Sequence, residues 1–139
     1  INAQVLVMKA DVVGNYADAA SLKDLTVAVE NGSAGQSAAE EAGITNIIAT
    51  QDQAAALMEV AAGTSDACVI DITMANAMTG EGTDYADLAA GISLTEELYG
   101  VSFRKDSDVT AVFNDFMAKI KADGTLQALA DKYSLTLAG

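Results

Sequence analysis

The sequence predicts an α/β fold: a doubly wound sheet of roughly five strands with flanking helices, followed by a C-terminal helical pair. Three observations carry that expectation. Short apolar runs alternate with helix-length stretches over the first two thirds of the chain. Two of those runs end on chemistry: Val27-Ala-Val-Glu-Asn-Gly-Ser-Ala-Gly35 passes into a glycine-rich turn, and Ala67-Cys-Val-Ile-Asp71 stops on a carboxylate. The last third carries an unbroken helical stripe, Val109, Val112, Phe113, Phe116, Met117 and Ile120.

Each element can be justified in turn. Ala3–Met8 is apolar and strand-like, and residues 11–20 form a polar, glycine-containing loop. Ser21–Leu25 reads as one helical turn, capped by Ser21 with Asp24 three residues on. Thr26–Glu30 is the next strand, and the helix from Ser33 should stop at Gly43, a residue free to adopt the left-handed conformation. Asn46–Thr50 is a short strand. Asp52 caps a helix through Ala62 that Gly63 ends, with Ala54, Leu57, Met58 and Ala61 as its apolar face. Cys68–Asp71 is the fourth strand, and a helix follows from about Thr73. A glycine-rich loop, Thr79–Asp84, leads to a short extended piece at Asp87–Ala90. Gly100–Arg104 alternates in character and reads as the last strand. The striped helix takes Asp106 or Ser107 as cap and ends at Gly124, where Thr125 caps a second helix carrying Leu126, Leu129, Ala130 and Tyr133.

Composition narrows the function. A length of 139 residues suits one domain-sized core. The chain is 51% apolar but lacks the run of about 18 apolar residues that a membrane span needs. A net charge of −13 argues against nucleic acid and anionic membrane surfaces as partners. With no histidine and one cysteine, Cys68, there is no His base, no intrachain disulfide and no clustered thiolate ligand. Carboxylates at EF-hand-like spacing are also absent, so neither a metal nor another cofactor is expected. Ile1-Asn-Ala-Gln-Val5 does not read as a signal peptide, so any export signal is expected to lie outside these residues.

The two strand ends suggest a ligand. In α/β sheets ligands collect where strands finish and helix N-termini offer free N–H groups. The turn after Glu30 suits an anion, and Asp71 suits a cation. A free amino acid carries both charges.

The ordered segments QVLVMKAD, SLKDL, TVAVENGSAGQSAAEE, GTSDACVID, YGVSFRKDSD and KADGTLQALADKY span most of the chain. Together they resemble the polar amino-acid-binding family of ABC-transporter solute-binding proteins. The resemblance implies two lobes joined by crossover strands, with the amino acid between them. On that scheme residues 1–98 are the second lobe with its first crossover strand. Residues 99–139 are the return strand and the C-terminal helices that normally pack on a first lobe. That first lobe normally supplies an arginine and an aromatic to the ligand, and no stretch here matches those motifs, so this chain is expected to hold about half the site.

By the same resemblance Asp71 pairs with the ligand ammonium, while Ser33, Ala34 and Gly35 receive its carboxylate. Ala34 stands where Thr or Ser is usual, which leaves backbone donors and Ser33 for that task. Glu30 and Ile70 occupy positions that tune side-chain choice, and a glutamate there would favour a cationic ligand. Asp71 could equally serve as a helix cap, and Ser33–Gly35 as an ordinary helix start. Cys68 reads as a small buried hydrophobe, and Asp84, Asp87, Glu96 and Glu97 as solvated surface.

The resulting expectation is a binding module and not an enzyme: an extracytoplasmic protein that passes a free amino acid to an ABC permease. A dehydratase-like enzyme acting on a small acid, which would have to rely on Glu30 and Asp71, and the sensory domain of a receptor kinase are the rivals on the same fold. The apolar stripe from Val109 to Ile120 needs cover, and a homodimer through the C-terminal helices is the expected source.

Overall fold

Five strands build the sheet: β1 (Gln4–Lys9), β2 (Thr26–Glu30), β3 (Asn46–Thr50), β4 (Ala67–Asp71) and β5 (Leu88–Ser93). Their spatial order is β3-β2-β4-β1-β5. Three helices follow strands β2, β3 and β4 in turn: α1 (Ala34–Glu41), α2 (Gln53–Ala62) and α3 (Ile72–Met78). A helical return carries the chain back to the start of the sheet, so β2 pairs in parallel with β3 and β4. Strand β1 runs the other way, antiparallel to both β4 and β5. The expected sheet of five strands is therefore present and is mixed. The reversed strand sets Gln4, at the start of β1, directly opposite Asp71, at the end of β4.

This computed structural model describes residues 1–138, which form two compact units: Asn2–Glu96, and Ile1 with the residues from Glu97 onward. In the first unit, strand alternation sorts the core onto two faces. Val5, Val7, Ala28, Cys68 and Ile70 pack with Leu57 and Val60 of α2 and Ala75 of α3. Leu6, Met8, Val27, Val29 and Val69 pack with Ala38 and Ala39 of α1. Burial of each Val, Leu or Ile side chain contributes roughly 1.5–3 kcal/mol; the edge strands join through Leu88 of β5, which is buried, and Ile47 of β3, which is partly buried.

Helix ends follow the sequence closely. The Ser33 and Asp52 side chains accept from Gln36 N and Ala55 N to cap α1 and α2. Gly63 closes α2 in the left-handed conformation, φ 78°. Several local expectations need correction. The turn near residue 21 is a 3-10 helix over Ala19–Leu22, and Asp18, not Ser21, caps it. Asp18 accepts from the Ser21 amide at 2.9 Å and its carbonyl takes the Ser21 hydroxyl at 2.6 Å, so the earlier residue satisfies the free donors. The buried face of α2 is Ala56, Leu57 and Val60, while Met58 is 60% exposed. The helix is apolar nearly all round, so periodicity alone does not choose its inner face. Gly100–Arg104 is not a strand. Strand structure requires a partner ladder, and these residues have none among those described; Phe103 instead meets Phe113 edge-on, with centroids 5.4 Å apart.

The second unit holds α4 (Val109–Ala122) and α5 (Thr125–Lys132). Gly124, at φ 82°, is the left-handed residue that ends one helix and caps the next. Thr125 is thus the first residue of α5 and not its cap; its amide is held by Asp123 Oδ1 at 2.9 Å. Asp108 occupies the cap position of α4 without a side-chain bond, and Ser107 Oγ accepts from Val109 N at 3.3 Å. No residue of α4 is buried.

Candidate functional site

The start of α1 is built by a reciprocal pair. Ser33 Oγ accepts from Gln36 N at 3.1 Å, and Gln36 Oε1 accepts from Gly32 N at 2.8 Å. Gly32 adopts φ 74°, which lets the chain leave β2 in a tight turn. Ser33 N donates to Glu30 O at 3.2 Å, and Ser37 N to Ser33 O at 3.3 Å. These bonds account for four donors around the turn. The amides of Ala34 and Gly35 remain without a protein acceptor among the described residues, at the positive end of the helix.

Gly35 fixes where those amides sit. A Cβ at this position would lie 2.8 Å from Val69 O and 3.2 Å from Gln4 Oε1. Only glycine lets α1 approach the ends of β4 and β1 this closely. The approach places the two free amides beside the strand that ends, two residues later, at Asp71.

Asp71 is itself firmly held. Its Oδ2 accepts from Asn2 Nδ2 at 2.7 Å. Its Oδ1 accepts from Thr73 N at 2.8 Å and from the Thr73 hydroxyl, which makes Asp71 the cap of α3. The Asp71 amide donates to Gln53 Oε1 at 3.1 Å. Asp71 is half-buried, whereas Asn2 and Gln4 are 1% and 5% exposed. Strand alternation puts Gln4 in step with Leu6, and Asp71 in step with Val69, on the α1 side of the sheet.

The structure thus gathers Ser33, Ala34, Gly35 and Asp71 at one end and on one face of the sheet. Glu30 and Ile70 fall, by the same alternation, in step with Ala28 and Cys68 on the opposite face. Glu30 is half-buried at the tip of β2, and Ile70 is 1% exposed within the core. Sequence reasoning missed Asn2, Gln4, Gln53 and Thr73. Thr73 had a local signal, since a residue two beyond an Asp cap is its usual donor. Asn2 had none, because its bond crosses 69 residues.

The chemistry available is recognition by charge. Two N–H groups at a helix start suit a carboxylate, and an ordered carboxylate suits an ammonium group. Cys68 adds nothing reactive, because burial pushes its thiol up to about 12. Among the described residues no group of three or more His, Cys, Asp or Glu could hold a metal ion. No described helix is long and apolar enough to cross a membrane.

Solved structures of similar shape are known. A mutant of ArgBP from T. maritima is 27% identical with a TM-score of 0.75, over 96% of this chain and 58% of that one. An amino acid ABC transporter substrate-binding protein from Streptococcus pneumoniae, bound to L-arginine, is 25% identical with a TM-score of 0.70, over 99% of this chain and 59% of that one. The chain is similar to amino-acid solute-binding proteins. A third such structure is the ancestral amino acid-binding protein AncCDT-1, a precursor of cyclohexadienyl dehydratase. It is 28% identical with a TM-score of 0.72, over 96% of this chain and 57% of that one. The chain therefore spans somewhat under three fifths of the length of these solute-binding proteins. No protein-family model matches the sequence, and no curated protein matches it.

Proposed function

We propose that this protein binds a free amino acid, gripping its α-carboxylate with the Ala34 and Gly35 amides and its α-ammonium with Asp71. The observation that carries the reading is the pairing of two unsatisfied N–H groups with an ordered carboxylate at adjacent strand ends. Ala34 brings no hydroxyl, so the carboxylate contact is by backbone, with Ser33 engaged in capping. A cationic side chain such as that of arginine is the favoured ligand. The net charge of −13 and Glu30 at the tip of β2 support it, as do the arginine-binding neighbours.

Residues 1–98 serve as one lobe of this site and supply about half of it, and residues 99–139 as the return segment with its helices. A second lobe supplies the rest, and the ligand stabilises the closed arrangement through contacts made to both. The bound amino acid passes to an ABC permease outside the cytoplasm. Binding without catalysis is the reading supported by the lack of histidine and by the donors already engaged on both oxygens of Asp71. The match to AncCDT-1 is itself a match to an amino acid-binding protein. In the 139-residue chain, α4 and α5 pair with those of a second copy, which covers Val112, Phe116 and Tyr133, now 68%, 54% and 61% exposed.

The test is a thermal-shift panel of the twenty common amino acids, at roughly tens of millimolar where solubility allows so that millimolar binding registers, against wild type and Asp71→Ala. A cationic amino acid should raise the wild-type Tm and leave the variant unmoved. A panel without any shift, or the same shift in both proteins, would sink the reading.

A further inference from the structure

We infer that Asn2 is a positioning residue of the amino-acid site, acting through Asp71; the inference rests on the function proposed above. A carboxylate at a strand end can swing about two side-chain torsions, and a swinging acid makes a poor partner for a small cation. Asp71 is restrained from both sides. Thr73 holds Oδ1 through its amide and hydroxyl, as any helix cap would be held. The bond to Oδ2 has a different origin: it comes from Asn2 Nδ2 at 2.7 Å, across the sheet and 69 residues away.

Several features set this contact apart from an incidental one. Asn2 is 1% exposed, so its amide is committed to the interior despite lying just before β1. Its backbone is fixed by the residues that follow it, since Ala3 O accepts from Ile72 N at 2.9 Å and Gln4 pairs with Asp71 in the ladder. Being two residues before Gln4, it faces the same side of the sheet as Gln4, whose Oε1 closes on Gly35. The bond is charge-assisted, the stronger kind. With Oδ1 held by Thr73 and Oδ2 by Asn2, the plane of the carboxylate is fixed, and the ligand ammonium meets a group already turned to receive it. Asparagine suits the task because it supplies a donor without a competing positive charge, which lysine or arginine would add beside the ammonium.

A double-mutant cycle on the full protein tests this. Binding of L-arginine is measured by amide-resolved NMR titration, which follows millimolar and weaker binding, for wild type, Asn2→Ala, Asp71→Asn and the double variant, with circular dichroism confirming each fold. Losing a hydrogen bond to a charged group should weaken wild-type binding by roughly tenfold or more. In the Asp71→Asn background the same change should cost no more than about twofold, because a residue that acts through the Asp71 carboxylate loses its effect when that carboxylate is gone. Asn2→Gln, which keeps the donor on a longer arm, should recover part of the loss. An equal loss in both backgrounds, or no loss at Asn2, would overturn the positioning role while leaving amino-acid binding intact. A wild-type protein that binds neither L-arginine nor any other common amino acid would overturn the functional reading and this inference with it.

Discussion

Gly35 concentrates the argument at the scale of one residue. The 2.8 Å approach of a built Cβ to Val69 O is to backbone, which cannot rotate away. Gly35→Ala should push α1 off the ends of β4 and β1, costing about 1–3 kcal/mol as overpacking and weakening ligand binding too. Urea unfolding reads the first effect, and an unchanged midpoint would mean the helix can shift freely. Cys68 gives a second residue-level test. Its thiol is raised from 9.0 to about 12 by burial, so the unfolded chain releases the proton first. The thiol's contribution is complete below pH 9.0 and fades as pH rises towards 12. Native protein at pH 8 should resist a thiol reagent that labels it fully in urea; prompt native labelling would contradict the buried placement.

Elements were legible where their signal is local. Ser33 and Asp52 announce the starts of α1 and α2 by side-chain chemistry and Gly63 the end of α2 by its backbone freedom, and the structure puts each in that role. Asp52 Oδ1 accepts from Ala55 N at 2.8 Å, so Asp52→Ala should cost about 0.5–2 kcal/mol by freeing a helix donor. A chemical-denaturation midpoint that does not fall would show α2 to be held by packing alone. Pairing was not legible in the same way. Nothing within Gln4–Lys9 states that β1 runs antiparallel, and nothing within Gly100–Arg104 states that the segment finds no ladder. Both outcomes depend on distant neighbours. The candidate site divides along the same line. Ser33, Gly35 and Asp71 stand in recognisable turn and cap contexts. Asn2 and Gln4 become visible only once antiparallel register sets them against Asp71.

For the whole molecule, the proposed half-site and the exposed helices each carry a prediction. The helices from Val109 onward should drive association of the 139-residue chain. Full burial of a large apolar side chain contributes roughly 1.5–3 kcal/mol, so covering the exposed parts of Val112, Phe116 and Tyr133 adds several kcal/mol, a sizeable fraction of the ~5–15 kcal/mol that holds a typical domain together. Sedimentation at micromolar concentration should show a dimer, and a clean monomer would remove that proposal. Ligand binding by this chain alone should be no tighter than about millimolar, because one contact region rarely offsets the cost of association. Amide-resolved NMR suits that range and addresses the central claim most directly. On titration with L-arginine, the Ala34 and Gly35 amides should move together with those around Asp71. Agmatine, which keeps the guanidinium but lacks the α-carboxylate, should leave the Ala34 and Gly35 signals in place. Equal shifts with both compounds, or shifts confined to other parts of the chain, would contradict the account.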